Sequence, residues 1–396
     1  MITMKKTETN ITHLKNHIHQ KNQMNQGDAL SLPKGWEIKK LGEVCENLDS
    51  KRIPITQNKR KKGDIPYYGA SGIVDYVSDY IFNEDLLCVS EDGANLLART
   101  YPIAFPISGK TWVNNHAHVL RFPNLVTQKF VEIYLNSIRI DDYVSGMAQP
   151  KLNQAMLNKI KIPIPPFPEQ QRIVSILDEA FSVIERSRNN AEQNLKNAKE
   201  LFESYLQGVF EKKGEGWEEK RFDEVCVLQR GFDLPTHSRF EGDYPLVSSN
   251  GITDRINEWK VKAPGVVTGR SGTIGNVHFI EEDFWPLNTA LYIKDFHGND
   301  ERFIYHFLTA FDLSKFSSGT GVPTLNRNNV HNVKVSIPKS KETQQTIVSH
   351  LDALRAETQK LEAVYQKKIV DLEELKKSIL QKAFAGELTG NLIATE

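Results

Sequence analysis

The side chains with reactive potential fall into short stretches, each carrying part of a chemistry and lacking the rest. Ser108-Gly109-Lys110-Thr111 has the ending of a phosphate-binding loop, in which glycine lets backbone amides wrap phosphate and lysine supplies charge. The glycine such a loop needs five positions before Gly109 is Ala104, and Pro102 and Pro106 crowd the stretch. Lys110 is therefore expected as a surface cation, or one facing a polyanion. Pro165-Pro166-Phe167 has the shape of the loop with which amino-methyltransferases hold a flipped base. That chemistry needs a polar side chain before the prolines, and Ile164 stands there. The stretch reads instead as a rigid connector. His116 and His118 share one strand face, but no third metal ligand presents itself at a plausible spacing. Cys45, Cys88 and Cys226 form no C-x-x-C pair, so neither a zinc ribbon nor a redox motif is supported. Cys45 and Cys226 read as small buried hydrophobes.

Other stretches have the composition of a binding surface. Gly269-Arg270-Ser271-Gly272-Thr273-Ile274-Gly275 follows the strand-like Gly265-Val266-Val267-Thr268. Its backbone could approach a phosphate closely, with Ser271 and Thr273 beside it and Arg270 reaching a base edge. A plain structural turn is the alternative. Lys51, Arg52, Lys59, Arg60, Lys61 and Lys62 lie in a run without an acid, either a solvated loop or a set of phosphate contacts. Arg230 and the polar stretch Asn326-Arg327-Asn328 complete the candidate nucleic-acid set.

The chain that must position these groups is written twice. Gly35-Trp36-Glu37 returns as Gly216-Trp217-Glu218, and Glu43-Val44-Cys45 as Glu224-Val225-Cys226. Gly146, Pro150, Leu152 and Asn153 return as Gly319, Pro323, Leu325 and Asn326. Gln170-Gln171-x-Ile173-Val174-x-x-Leu177-Asp178 returns as Gln344-Gln345-x-Ile347-Val348-x-x-Leu351-Asp352. The offset drifts only from 181 to 173 residues, too long for a solenoid unit of about 20–50 residues. Two similar units imply two similar sites. They need not be identical: Glu91-Asp92-Gly93-Ala94 stands where the second copy has the Arg270 loop, and Thr289 and Leu291 stand where the first has His116 and His118.

Each copy opens as short strands and turns, with Gln128 to Ile138 patterned as a helix. Each then changes to a long amphipathic helix. Leu177, Phe181, Ile184, Arg188, Ala191, Leu195, Ala198, Phe202, Tyr205 and Val209 alternate at four- and three-residue steps, a coiled-coil heptad over about 170–212. A helix of about 38 residues would span roughly 57 Å. Leu351, Leu354, Thr358, Leu361, Tyr365, Leu372, Leu375 and Ile379 repeat the pattern over about 343–384. A lone amphipathic helix exposes its seam, whereas two in antiparallel array bury it and return the chain to the next domain. The expected organisation is a polar tail at 1–32, domains at 33–168 and 214–340, a helix at 169–213, and a second helix with a C-terminal tail at 341–396. Ile11, Leu14 and Ile18 leave the tail open to a short helix, or to a disordered or partner-docked segment.

Fifty basic residues balance fifty acidic ones, which argues against an indiscriminate DNA binder but allows locally positive surfaces. No stretch approaches the roughly 18 apolar residues of a membrane span. The N-terminus lacks the apolar core of a secretory signal, so the cytoplasm is expected.

Taken together, the opening Gly-Trp-Glu, the closing Ile162-Pro163-Ile164-Pro165-Pro166-Phe167-Pro168-Glu169-Gln170-Gln171, and the tail Leu380-Gln381-Lys382-Ala383-Phe384-Ala385-Gly386-Glu387-Leu388-Thr389 resemble the specificity subunit of type I restriction–modification enzymes. The likeness covers nearly the whole chain from about residue 32, although the second closing lacks the double proline. It implies an α+β fold: two mixed target-recognition domains separated by two long antiparallel coiled-coil helices, in an internal pseudo-two-fold repeat. It implies that each domain reads one half of a split double-stranded DNA target and that the helices set the spacing. It implies partners: two methyltransferase subunits, then restriction–translocase subunits. S-adenosylmethionine, ATP and Mg2+ would sit on those partners, and this chain would hold no catalytic residue, metal or cofactor. The assembled complex would be an adenine-N6 methyltransferase and ATP-dependent endonuclease. Two other readings stand beside it: a coiled-coil adaptor whose domains bind protein, and a stand-alone methyltransferase or nuclease.

Overall fold

A computed structural model describes residues 32–146, 148–318 and 323–389. The expected tail helix around Ile11, Leu14 and Ile18, and Gly319 of the repeat, lie outside the described residues. The chain forms two compact units, one holding residues up to 187 with those from 371 onward, the other residues 188–370.

In the first unit the strands are β1 (Glu37–Lys40), β2 (Glu46–Asn47), β3 (Ile65–Gly69), β4 (Gly72–Val77), β5 (Phe82–Asn83), β6 (Leu86–Ser90), β7 (Ala104–Ile107), β8 (Lys110–Val113), β9 (Ala117–Arg121) and β10 (Lys161–Ile164). The helices are α1 (Leu41–Val44), α2 (Asn95–Ala98), α3 (Leu125–Ser137) and α4 (Gln154–Leu157), then the start of α5 (Phe167–Lys212). The second unit carries α6 (Phe222–Val225), α7 (Glu301–Ala310) and α8 (Arg327–His331), and α9 (Lys341–Phe384) begins in it. Its strands are β11 (Trp217–Arg221), β12 (Val227–Arg230), β13 (Glu241–Ser248), β14 (Gly251–Ile256), β15 (Gly265–Gly269), β16 (Val277–Ile280), β17 (Trp285–Pro286), β18 (Ala290–Asp295), β19 (Ser317–Ser318), β20 (Thr324–Leu325) and β21 (Lys334–Pro338).

The repeat extends to sheet topology. A closing ladder pairs β1 with β10, and β11 with β21. A four-stranded sheet runs β2-β9-β6-β7 in one unit and β12-β18-β15-β16 in the other. A further sheet runs β4-β3-β8-β5 in the first and β14-β13-β17 in the second. Even the irregularities match: β3 pairs β8 in parallel, as β13 pairs β17, and a bulge interrupts β3 at Tyr67/Tyr68 and β13 at Leu246/Val247.

The sequence identities between copies mark the joints. Gly35 and Gly216 sit at φ 88° and 80°, where a side chain is strained, and so turn the chain into β1 and β11. Glu43 and Glu224 accept the Lys40 and Arg221 amides at 2.9 and 2.8 Å, which caps the short helices after those strands. Asn153 and Asn326 cap α4 and α8 through side-chain oxygens, each 3.0 Å from the amide it accepts. Gln170 is buried and donates to the Pro165 carbonyl at 2.8 Å while accepting from Thr127 of α3. Gln344 donates to Pro338 at 3.0 Å and Asn299 at 2.7 Å, and accepts the Asp300 amide at the start of α7. Each glutamine therefore ties the long helix both to the closing strand and to the domain's own helix.

Within each unit the long helices run antiparallel. In the first, Glu169 meets Thr389 and Phe181 meets Lys376, and Ile173, Leu177 and Ala383 join the domain core. In the second, Phe202, Leu206 and Leu351 form a buried cluster with Val209, Ile347 and Leu354 around it. Leu177, Ile184, Ala191 and Ala198 are buried, while Phe181 and Leu195 are half-buried. Two features of the expected seam need correction. Tyr205 is 46% exposed and its neighbour Leu206 is buried, so the heptad gives way to a four-residue step as α5 meets its second domain. On α9, Leu361 and Leu375 are 43% and 48% exposed. The inward columns are Leu351, Thr358, Tyr365, Leu372 and Ile379 on one side and Arg355, Glu362, Ile369, Lys376 and Ala383 on the other, all buried or half-buried. Long charged residues take those positions because their apolar stems cover the seam: Arg355 lies over Phe202 and pairs with Glu362 at 3.4 Å, and Lys376 lies over Phe181. Leu372 is only half-buried.

Candidate nucleic-acid interface

The basic run divides into two kinds of residue. Lys51, Lys59, Lys61 and Lys62 are exposed. Arg52 is not a free cation. Its guanidinium bonds Glu91 and the Ala117 carbonyl, both at 2.7 Å, and lies 3.4 Å from Asp49. Arg60 is also engaged, bonding Asp75 at 2.9 Å and the Ile55 carbonyl at 3.0 Å while stacking over Tyr67. The planar guanidinium suits such multiple bonds, whereas lysine remains solvated. Both arginines are thus structural ties within the domain. Lys110 is exposed on β8, with its ammonium over the Tyr80 ring.

In the second unit the candidates converge on one end of a sheet. The C-terminal ends of β12 and β15 and the start of β18 lie together there, since Arg230 pairs with Leu291 and Gly269 with Ala290. The glycine-rich loop is a built turn. A Cβ at Gly269 would collide with the Thr273 carbonyl, and Gly272 and Gly275 have φ of 82° and 93°. Arg270 projects from it, half-buried, and donates to the Asn288 carbonyl at 2.9 Å. Its own carbonyl accepts the Leu325 amide at 2.8 Å, and Ser271 bridges Thr324, which brings Asn326, Arg327 and Asn328 alongside. Thr273 donates to Asn250 in the β13–β14 turn at 2.5 Å. Arg327 reaches the Leu228 carbonyl at 3.4 Å, and Arg230 lies 3.4 Å from Asp233, which also accepts from Asn288. Asp233 and Asn288 carried no sequence signal; only the sheet brings them between Arg230 and Arg270.

The same sheet end in the first unit holds a different set. His118 is buried with one ring nitrogen 2.6 Å from Asp49 and the other 2.7 Å from the Leu152 carbonyl. Glu91 bonds Arg52 and lies 3.2 Å from Lys151, and exposed His116 bonds Asp92 at 2.7 Å. Burial works against an ionised Asp49, yet the bond and charge of His118, the Val119 amide and Arg52 hold its carboxyl below the usual range. The ligand atoms of Asp49, Glu91 and His118 lie within 4.8 Å of one another, so the fold gathers acids near His118 that sequence spacing did not reveal. Arg52, ion-paired to both, supplies the compensating charge. His116 stands apart with Asp92.

The cysteines are placed as apolar groups. Burial first, and Asp49 second, pushes Cys45 up to about 12, and burial raises Cys88 and Cys226 further, so none is poised as a thiolate. No helix among the described residues is long and apolar enough to cross a membrane.

The two equivalent ends thus share a scaffold and differ in side chains: the first has exposed His116 and Lys151 over a largely buried set of Asp49, Glu91, Arg52 and His118, the second arginine and amides. Arginine pairs with guanine acceptors and asparagine with adenine, while carboxylates accept from cytosine amino groups.

Comparison with known proteins places this arrangement. The sequence profile of the type I restriction modification DNA specificity domain matches twice, over residues 33–196 and 214–370. A candidate type I restriction enzyme specificity subunit of Haemophilus influenzae is 29% identical over 345 residues, covering 80% of this chain and 86% of the relative. The MjaIX specificity subunit of Methanocaldococcus jannaschii is 22% identical over 417 residues, covering 91% and 95%. Among solved structures, a chain from a study of type I R-M complex assembly and conformational transition aligns over 90% of this chain and 100% of its own, with a TM-score of 0.72 at 20% identity. The HsdS subunit of Thermoanaerobacter tengcongensis aligns over 90% and 98% with a TM-score of 0.57 at 19% identity.

Proposed function

This chain belongs to the type I restriction modification DNA specificity family, and from that premise we infer how it selects its target. It is the specificity subunit, and residues 33–168 and 214–340 are its two reading modules. Each reads one half of an asymmetric bipartite sequence in double-stranded DNA, with the long helices setting the spacing. The observation that carries this reading is the pair of equivalent sheet ends: one scaffold, two different sets of hydrogen-bonding side chains. Bases are told apart by donor and acceptor pattern, so two such sets select two different half-sites. Arg270, Ser271, Thr273, Asn326, Arg327, Asn328 and Arg230 serve the second half-site; Lys51, Lys59, Lys61, Lys62 and Lys110 supply phosphate contacts in the first.

The chemistry is assigned to partners. Two methyltransferase subunits bring S-adenosylmethionine for adenine-N6 methylation, and restriction subunits bring ATP, Mg2+ and cleavage, in the cytoplasm where cellular DNA lies. Exposed apolar residues on the helices offer surface for docking: Leu361 and Val364 in one unit and Leu375 in the other are 43%, 59% and 48% exposed.

Methylome sequencing of cells expressing this chain with a methyltransferase partner tests the proposal. One two-part adenine-methylated motif with unlike halves is expected, absent without this chain. A methylation pattern independent of the chain overturns it.

A further inference from the structure

The loop leading into β3 and the loop leading into β13 share one backbone at a constant offset of 179 residues. Each holds a 3-10 turn at the matching place, Gln57–Lys59 and Thr236–Ser238. Arg60 donates through Nε to the Ile55 carbonyl at 3.0 Å, and Arg239 to the Leu234 carbonyl at 3.2 Å. The Lys61 and Phe240 carbonyls accept the Ser78 and Asn257 amides, both at 3.0 Å. Gly63 and Gly242 follow, and a Cβ on either would collide with the backbone of Ser78 or Asn257. The arginine and glycine are therefore the loop's fixings, and the other side chains are what it displays.

The displays differ. The first loop presents Lys59, Lys61 and Lys62, all exposed. At the matching places the second presents Ser238, Phe240 and Glu241. Phe240 is 65% exposed, on a segment pinned on both sides. An aromatic ring held in water costs apolar hydration that a polar residue would avoid, and nothing in the loop's own bonding requires it. Three exposed lysines on one pinned loop suit a polyanion, and the nearby Asp75 is already bonded to Arg60. We propose that this loop is a duplex-DNA contact in both domains. It holds phosphates through Lys59, Lys61 and Lys62 in the first, and packs the Phe240 ring against a thymine methyl or an opened base step in the second. Glu241, the next residue and also exposed, disfavours phosphate at that loop and so favours a contact inside the groove.

This rests on the target-reading assignment above, and the test separates the two. The full chain with its methyltransferase partner is bound to a duplex carrying the motif found by methylome sequencing, at several salt concentrations. Failure of the wild-type complex to prefer that duplex over a scrambled one removes the assignment itself. With preference present, Phe240→Ala is expected to weaken binding by about tenfold, within the range of base–aromatic contacts, with an unchanged salt slope. Phe240→Tyr is expected to bind as wild type. Replacing Lys59, Lys61 and Lys62 together by Ala is expected to lower the salt slope by about three phosphate contacts' worth. Wild-type binding by Phe240→Ala, or equal loss in Phe240→Ala and Phe240→Tyr, overturns the apolar contact. An unchanged salt slope in the lysine variant overturns the phosphate contact.

Discussion

The guanidinium of Arg355 lies over the ring of Phe202, 5.0 Å from its centroid, so a charged residue joins Leu354 in closing the helix seam. Leu351 is fully buried in the cluster beside it, whereas Leu361 is 43% exposed. Leu351→Ala should cost about 2–5 kcal/mol of stability. Leu361→Ala should stay within about 0.5 kcal/mol and instead weaken methyltransferase docking. Denaturant unfolding and co-purification of both variants check the contrast; equal destabilisation would place Leu361 in the seam after all.

Gln344 makes two donor bonds and accepts the Asp300 amide inside the second unit. Gln344→Ala strands buried polar groups, which costs about 1–3 kcal/mol. Gln344→Glu should be no better, because a carboxylate cannot donate to the Pro338 carbonyl. Wild-type melting of either variant would show that the joint between long helix and domain is dispensable.

His306 is buried with Nε2 2.8 Å from Asp352 and Nδ1 without a partner. Burial lowers its pKa from 6.5, against the opposing pull of Asp352, with Arg302 lowering it further. A depressed value means that the unfolded chain binds the proton more readily. The corresponding stability is present above the ordinary histidine value and is lost as pH falls below it toward the folded value. Between about pH 7 and about pH 5.5, wild type should lose more stability than His306→Gln. Parallel curves would remove His306 from the acid response.

Arg270 is half-buried and anchored by one bond to Asn288, which leaves other donors of its guanidinium for a ligand. Arg270→Ala should relax one position of the second half-site by about 1–3 kcal/mol, with little change in salt dependence. Binding across single-base variants of the motif provides the readout. Unchanged affinity and ranking would make this loop structural.

The second domain is closed by the β11–β21 ladder, with Trp217 opposite Pro338, so its two chain ends lie side by side. Replacing residues 216–338 with the corresponding domain of another family member should change one half of the methylated motif and preserve the other. Changes in both halves would show that the domains do not read independently.

The sequence by itself determined the duplicated plan, the two long helices and the identity of the joints. Repeated glycine, asparagine and glutamine positions report backbone turns and caps, which are local, and apolar periodicity reports helix length and amphipathic character. It left open which columns of each helix face inward, because neighbouring columns of a heptad differ by a small rotation and α9 has apolar residues on both. Packing chose Arg355 and Lys376 for the seam and turned Leu361 and Leu375 outward. Only the tertiary structure decided which arginines are free. Arg52 and Arg60 lie in a run as basic as any phosphate-binding stretch, yet their partners Glu91, just past β6, and Asp75, in β4, come from later segments of the chain, and an ion pair between separate segments leaves no mark on local composition. The matching loops that carry Lys61 and Phe240 are legible for the same reason only in three dimensions. Their shared feature is a backbone hydrogen bond from the residue just past a neighbouring strand, and that bond is indifferent to the side chain displayed.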